Sequence, residues 1–314
     1  MLIVFSITFP IYAAMVIGYV VVRKGWFAPS DMRVLGQYVL NIALPALLFH
    51  AVASRDLSDV FHPGYMLAYL LGGLAAIAVS YLWFTVTGAA SQRRAVAVMG
   101  SVCPNSGFVG YPVMLLAFPD QAGVILALNF LIENIVLIPI CLVLMDLAAE
   151  RGDMSIPRRL GGIFWGILKR PMVIALLLGL GVSLLQLPVP AAVTQLLSML
   201  AASASALALV VIGGALVGLP LKGNRAFATQ IAASKLVLHP ALVAVAASGL
   251  VALGLVALPP DLHAAVILSA AMPMFGIYTV FAQEQGQEGI ASIAMLAATS
   301  LAFVTLSALL LWLV

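Results

Sequence analysis

Pro104-Asn105-Ser106-Gly107 and Pro273-Met274-Phe275-Gly276 each place a proline three residues before a glycine in the middle of an apolar run. Proline lacks a backbone donor and clashes with the carbonyl one turn earlier, so each stretch predicts a broken helix. Within a bilayer, the backbone groups freed by a break are tolerated only where they face protein or a polar cavity. Breaks at corresponding positions of two halves are typical of the binding site of a secondary transporter.

The composition indicates a membrane protein with several spans. Of the 314 residues, 64% are hydrophobic and 8% are charged. Such values lie far outside the range of soluble domains. The net charge of +3 comes from basic residues spread over short loops, so we expect no nucleic-acid partner. Cys103 and Cys141 lie in apolar segments without motif spacing, so we expect neither a disulfide framework nor a metal site.

Ten apolar runs are long enough to form transmembrane helices, since about 20 residues of helix cross the hydrocarbon core. They lie at residues 2–22, 34–53, 65–87, 95–117, 121–146, 170–187, 192–218, 229–256, 263–283 and 289–313. The sequence therefore predicts an all-α polytopic membrane protein with ten transmembrane helices. The two proline stretches fall in the fourth and ninth of them.

The positions of Lys and Arg predict the orientation of the spans, because cytoplasmic loops are rich in basic residues. Nearly all basic loop residues flank odd-numbered loops, and only Arg55 lies in an even-numbered one. The first run has no basic segment before it and is followed by Arg23 and Lys24, so we expect a retained span rather than a signal peptide. The N-terminus and C-terminus are therefore predicted to face the outside.

The longest polar interruption divides the chain into two groups of five spans, at residues 1–147 and 170–314. Because five is an odd number, the second group enters the membrane from the opposite side, which makes the repeats inverted. Aligning Pro104 with Pro273 also aligns Gly107 with Gly276. We therefore expect a 5+5 inverted repeat, joined by a cytoplasmic linker at residues 148–169.

The chemistry of the two breaks suits an organic anion. A half-helix that starts after a break directs N–H groups and the positive end of its dipole into the cavity. Asn105 and Ser106 add neutral donors and acceptors, and Gly107 permits an unwound conformation at little cost. We predict that both four-residue stretches line the substrate cavity. The alternative is a proline kink in which Asn105 bonds the freed carbonyl.

Ionisable residues inside the spans are functional candidates because of their cost in lipid. Lys235 is expected to attract a substrate anion or to pair with a carboxylate, unless it extends to the cytoplasmic surface. Glu133 is a candidate proton site, a charge partner for Lys235 or a neutral structural acid. His239, which precedes Pro240, is a candidate coupling residue or a structural hydrogen-bond donor.

Several motifs resemble the auxin efflux carrier family, especially its bacterial members named malonate transporters. They are Asn-Ile-Ala-Leu-Pro-Ala-Leu-Leu-Phe at residues 41–49, the two proline breaks, and Lys235 followed five residues later by Pro240. The resemblance implies crossed, broken fourth and ninth helices, a scaffold domain, a transport domain, and a bacterial inner-membrane setting. It implies transport of a malonate-like or auxin-like carboxylate, and it adds Asn41 to the candidate substrate-binding residues.

Other functions remain as alternatives. A sodium- or proton-coupled carrier of another organic anion has the same fold, and an anion channel uses similar half-helices but usually shows a filter or charged rings. An enzyme is not expected, because the sequence lacks the nucleophile, metal and paired-carboxylate motifs that intramembrane catalysis needs. We expect no cofactor beyond H⁺ or Na⁺. Small residues in the third and seventh spans predict close helix packing, and those in the second and seventh spans allow a close scaffold or a homodimer.

Overall fold

The computed structural model describes residues 2–56, 60–149, 161–162, 165–219 and 222–313. Most of this part of the chain is helical. Much of the predicted cytoplasmic linker, namely residues 150–160 and 163–164, lies outside the described residues.

Twelve helices with described bounds are numbered here in chain order. They are α1 Leu2–Arg23, α2 Pro29–Ala53, α3 Pro63–Val86, α4 Ser91–Val102, α5 Ser106–Ala117, α6 Ala122–Ala148, α7 Pro171–Leu184, α8 Ala191–Ala215, α9 Arg225–Ala252, α10 Pro260–Ala270, α11 Tyr278–Glu284 and α12 Glu288–Leu313. Within the described part of the chain, seven of them are long and apolar enough to cross a membrane: α1, α2, α3, α6, α8, α9 and α12. The protein is a polytopic helical membrane protein.

The helices coincide in position with the predicted spans, while the number of ten transmembrane helices stays a prediction. The predicted fourth span is divided into α4 and α5, and the ninth into α10 and α11, as the proline stretches predict. Helix α9 begins at Arg225 rather than at residue 229, because Asn224 Oδ1 accepts a hydrogen bond from the Phe227 amide at 3.0 Å and caps the helix. The sequence analysis placed the start of this helix too late, because its polar first turn is not part of the apolar run. The inverted repeat stays a prediction.

In the described part of the chain, three single π-helical turns interrupt helices and a fourth begins α5, and the sequence analysis did not predict them. They are Val39–Ala43, Ser106–Gly110, Glu133–Leu137 and Ser234–Leu238. Each ends two residues before a proline: Pro45, Pro112, Pro139 and Pro240. In three of them the residue before the proline donates its N–H to the carbonyl five residues earlier, as Ile138 does to Glu133. The wider turn accommodates the proline ring, which would clash with a carbonyl in a regular α-helix.

The chain forms two compact units. Unit 1 comprises Met1–His62, Ser106–Phe130 and Gly166–Leu219, and unit 2 comprises Pro63–Asn105, Leu131–Trp165 and Pro220–Val314. Helices α1, α2, α7 and α8, which correspond to the first, second, sixth and seventh predicted spans, all belong to unit 1. The chain passes from unit 2 to unit 1 at the first break, between Asn105 and Ser106, and each unit combines segments from both predicted repeats.

Glycines bring helices into close contact within each unit, which confirms the packing predicted from the small residues. In unit 1, a Cβ on Gly213 of α8 would overlap the carbonyl oxygen of Met15 in α1. In unit 2, a Cβ on Gly72 of α3 would lie 2.5 Å from the Cα of Val243 in α9. Approach this close is typical of membrane helices, where packing replaces the hydrophobic driving force.

Candidate functional site: the paired helix breaks

The two proline breaks lie side by side within unit 2. The Asn105 amide donates a hydrogen bond to the Pro273 carbonyl at 2.8 Å, and the Phe275 amide donates to the Cys103 carbonyl at 3.3 Å. These bonds form an isolated antiparallel bridge between Pro104 and Met274. The structure thereby brings the predicted substrate-binding residues Pro104 and Asn105 next to Pro273, Met274 and Phe275.

The bridge explains how the chain tolerates unwound backbone at this place. Residues 103–105 and 271–277 lie outside the flanking helices, so their backbone groups lose part of the helical hydrogen bonding. The two breaks supply partners to each other, which meets the requirement for satisfied backbone groups in lipid. The breaks are therefore paired unwound segments rather than simple proline kinks.

The bridge also defines a local register between the two breaks. In an antiparallel pair, a local two-fold axis relates the residues that face each other, here Pro104 and Met274. The same axis relates Cys103 to Pro273. The sequence alignment pairs Pro104 with Pro273, whereas the bridge pairs Pro104 with Met274. The two pairings therefore differ by one residue. The second break is also longer, because seven residues separate α10 from α11 while three separate α4 from α5.

Burial distinguishes the residues predicted to bind substrate. Asn105 is 5% exposed and Ser106 is 3% exposed, and Met274 is also buried. Phe275 is half-buried, while Gly276 and Asn41 are exposed. The candidates are divided between the units: Asn41, Ser106 and Gly107 belong to unit 1, and the others belong to unit 2.

The role predicted for Gly107 in unwinding the helix is wrong. Gly107 lies inside the π-turn Ser106–Gly110 and does not have a positive φ, and neither does Gly276. The unwinding occurs before Gly107, at residues 103–105, where Pro104 lacks a donor. Gly107 instead makes room within unit 1, because a Cβ there would lie 2.9 Å from Cδ1 of Leu44.

Lys235 does not extend to the membrane surface. Its side chain is 0% exposed, and its Nζ donates a hydrogen bond to the carbonyl of Ala270, the last residue of α10, at 2.6 Å. The end of a helix carries unsatisfied carbonyls and the negative end of the dipole, so an ammonium stabilises it. Lys235 therefore holds the helix end that leads into the second break.

His239 lies one turn after Lys235, and its Nδ1 is 2.9 Å from Lys235 Nζ. When Lys235 is protonated, its ammonium has no acceptor, so Nδ1 accepts the hydrogen bond and the neutral imidazole carries its proton on Nε2. Nε2 is buried and has no hydrogen-bond partner among the described residues. His239 thus presents an open donor in the interior of unit 2.

Glu133 is 3% exposed and accepts a hydrogen bond from the Tyr69 hydroxyl, with 2.8 Å between Tyr69 OH and Glu133 Oε1. The Tyr69 ring centroid lies 6.3 Å from that of His239. Lys235 is near enough to Glu133 for their charges to interact. We call Tyr69, Glu133, Lys235 and His239 the polar network. It joins α3, α6 and α9 next to the end of α10.

Several members of this region were missed by sequence reasoning. Tyr69 carries no motif, although its spacing of four residues from Tyr65 places both on one face of α3, where Tyr65 OH lies 2.9 Å from Ser269 Oγ. Cys103 and Cys141 are buried with 3.8 Å between their sulfur atoms. Their separation of 38 residues in the chain gave no signal, since only the fold brings α6 to the first break.

A polytopic helical protein with two paired helix breaks and buried ionisable residues has the architecture of a membrane transport protein. Comparison with known proteins agrees. The family described as "Membrane transport protein" matches residues 3–310, and the chain belongs to this family, which contains the auxin efflux carriers. Membership indicates a transporter rather than an enzyme, with a small-molecule substrate.

Three relatives show how widely this similarity extends. A protein of Rhizobium meliloti (strain 1021), named "Putative malonate transporter", is 26% identical over 97% of this chain and 94% of its own length. An uncharacterized transporter of Methanothermobacter thermautotrophicus is 26% identical over 73% of each chain. Auxin efflux carrier component 2 of Arabidopsis thaliana is 25% identical over 44% of this chain and 21% of its own length.

Proposed function

We propose that this protein is a secondary transporter of small organic carboxylates. The observation that carries the proposal is the bridge between the two breaks, with 2.8 Å between the Asn105 amide nitrogen and the Pro273 carbonyl oxygen. A pair of broken helices is the usual location of the substrate in transporters of this architecture. The names of the relatives, malonate transporter and auxin efflux carrier, both refer to carboxylate compounds.

The residues around the bridge favour an anion. Helix α5 begins at Ser106, directly after the first break, so its first N–H groups and the positive end of its dipole lie at the break. Asn105 and Ser106 supply polar side chains there. Lys235 adds a positive charge near the second break, and the Nε2–H of His239 is an open donor. These groups suit a carboxylate better than a cation.

We infer that transport occurs by alternating access. A transport domain with the fourth and ninth predicted spans moves against a scaffold built largely from the first, second, sixth and seventh, and these four scaffold spans all lie in unit 1. An inverted repeat supplies two arrangements of similar energy, which is the usual basis of such motion.

The termini face the outside in this proposal, because nearly all basic loop residues flank the odd-numbered loops. A homodimer through small-residue faces is part of the same proposal.

Exchange in proteoliposomes tests the proposed substrate class. The purified protein is reconstituted, loaded with an unlabelled carboxylate and supplied with the same labelled compound outside, across a panel of malonate, other dicarboxylates and aromatic monocarboxylates. We expect saturable exchange of at least one compound. Nonsaturable flux would favour the channel, and no exchange of any carboxylate would contradict the proposal.

An asparagine variant tests the location of the site. Asn105→Ala removes hydrogen bonds at the break and should lower exchange by about tenfold while leaving membrane insertion unchanged. Asn224→Ala is the matched control, because Asn224 is an exposed helix cap in the same unit and its loss costs only about 1 kcal/mol of helix stability. Equal exchange by both variants, at equal expression, would place the substrate elsewhere.

A further inference from the structure

We propose that Glu133 is the proton-binding site that couples transport to a proton gradient, with Lys235 as its fixed counter-charge and one proton carried per cycle. This inference rests on the proposed transport of carboxylates. Glu133 is the twelfth of the 27 residues of α6, it is buried, and it lies in a π-turn. Ionisable groups at such depth and π-turns inside helices both occur frequently at functional sites.

The groups around Glu133 come from several helices of unit 2. Tyr69 of α3 donates a hydrogen bond to Glu133, and Lys235 of α9 and Cys103, which follows α4, interact with its charge. His239 contacts Lys235, and Cys141 of α6 contacts Cys103. The other charged residues of α6 and of the neighbouring helices lie near helix ends: Asp146 in α6, Arg93 and Arg94 in α4, Arg225 in α9, Asp261 and His263 in α10, and Glu288 in α12. Lys235 and Glu133 are therefore the opposite charges at the centre of this region.

The balance of charge links the proton to the substrate. With Lys235 protonated and Glu133 ionised, the polar network has no net charge. A carboxylate that binds at the neighbouring break adds a negative charge to a buried region, and burying an uncompensated charge is expensive. Protonation of Glu133 offsets one such charge. Loss of the same proton on the other side of the membrane restores the original network after the substrate leaves.

The hydrogen bonds favour Glu133 over its neighbours as the group that changes protonation. A second proton on His239 would break the bond to Lys235 and place two cations with their nitrogens 2.9 Å apart. Loss of a proton from Lys235 would weaken its hold on the Ala270 carbonyl. A protonated Glu133 still has an oxygen that accepts from Tyr69, so its hydrogen bond survives both states.

The test compares exchange with gradient-driven accumulation of labelled malonate in proteoliposomes that contain a pH-sensitive dye. We expect the unchanged protein to take up protons with malonate and to accumulate malonate under an inward proton gradient. Glu133→Gln keeps the shape of the side chain and should retain exchange within about threefold, because exchange needs no net proton movement. It should lose both proton uptake and accumulation. Glu284→Gln, at an exposed carboxylate in the same unit, should retain all three.

The outcomes separate this inference from the proposed function. If the unchanged protein exchanges no malonate or other carboxylate, the proposed function fails first. If exchange occurs but a proton gradient gives no accumulation, or a sodium gradient drives it instead, the inference alone is overturned. Accumulation by Glu133→Gln under a proton gradient overturns it as well. If Glu133→Gln does not fold, Glu133→Asp is measured instead. It keeps a carboxyl group, so it should keep proton uptake, and malonate exchange without proton uptake would overturn the inference.

Discussion

The two units differ in what holds their interiors together. In unit 1, Gly18 of α1 and Gly213 of α8 let the two helices meet backbone to backbone, and the described buried residues of this unit carry no charged side chain. In unit 2, the described buried residues include Glu133, Lys235 and His239. Both interiors contain close glycine packing, and among the described residues only the interior of unit 2 also contains charged side chains.

This difference is consistent with the proposed division into a scaffold and a transport domain. Close packing of small residues stabilises membrane helices without needing polar contacts, which suits a part that stays rigid. Buried charges are costly in a membrane and persist where they act on a substrate or ion. Changes at packed glycines of unit 1 should therefore affect folding, and changes in the polar network of unit 2 should affect transport.

The largest effect is expected from Gly213→Ala in unit 1. The new Cβ would overlap the backbone carbonyl of Met15, and neither helix offers a flexible side chain that moves aside. Overpacking of this kind costs about 3 kcal/mol or more. We expect a strongly lowered melting temperature in detergent and little monodisperse protein.

Gly181→Ala is the matched control for this prediction. Gly181 lies in α7 of the same unit, with no atom within 4 Å of the added Cβ, and alanine favours a helix over glycine by about 1 kcal/mol. Its melting temperature should be unchanged or raised. If Gly213→Ala is as stable as Gly181→Ala, then glycine packing does not determine the stability of unit 1.

A smaller effect on stability and a large effect on transport are expected from Lys235→Met in unit 2. Methionine has a similar length but removes the hydrogen bonds to Ala270 and His239 and leaves Glu133 without its counter-charge. Loss of these interactions should lower carboxylate exchange by at least about tenfold. Lys235→Arg keeps the charge and the donors and should retain part of the activity.

The measurement for Lys235 is exchange per folded protein, with folding followed by size-exclusion chromatography. Lys222→Met is the control, because Lys222 is exposed just before α9, and it should exchange at the normal rate. Full exchange by Lys235→Met would show that the charge of Lys235 is needed neither for the second break nor for the substrate. Equal loss in the methionine and arginine variants would indicate that both the charge and the shape of lysine are required.

Much of the fold follows from the sequence because membrane helices have a simple signature. Apolar length located the helices, and a proline in an apolar run located the breaks at Pro104 and Pro273. The π-turns were missed because a proline inside a helix is compatible with a kink, a break or a widened turn. Pro139 and Pro240 produce widened turns, and their sequence surroundings do not separate these outcomes.

The candidate site was predictable only in part. The proline break pointed to Asn105, and the cost of a charge inside an apolar span pointed to Lys235 and Glu133. Each of these arguments needs only the local sequence. Contacts between distant segments were not predictable, because they depend on which helices pack together. The pairing of Pro104 with Met274, the bond from Tyr69 to Glu133 and the approach of Cys141 to Cys103 are all of this kind.

The smallest effect is expected from glycine variants at the breaks. A Cβ at Gly107 would meet only Cδ1 of Leu44, the flexible end of a side chain, and a Cβ at Gly276 would meet no atom within 4 Å. Neither glycine has a positive φ, so alanine fits both backbones. Gly107→Ala and Gly276→Ala should therefore change stability by less than about 1 kcal/mol and exchange by less than about twofold. If either variant folds normally but loses exchange, the glycine is needed in a conformation of the transport cycle other than this one. That result would locate the moving backbone at the break itself and would sharpen the comparison between the uncharged interior of unit 1 and the charged interior of unit 2.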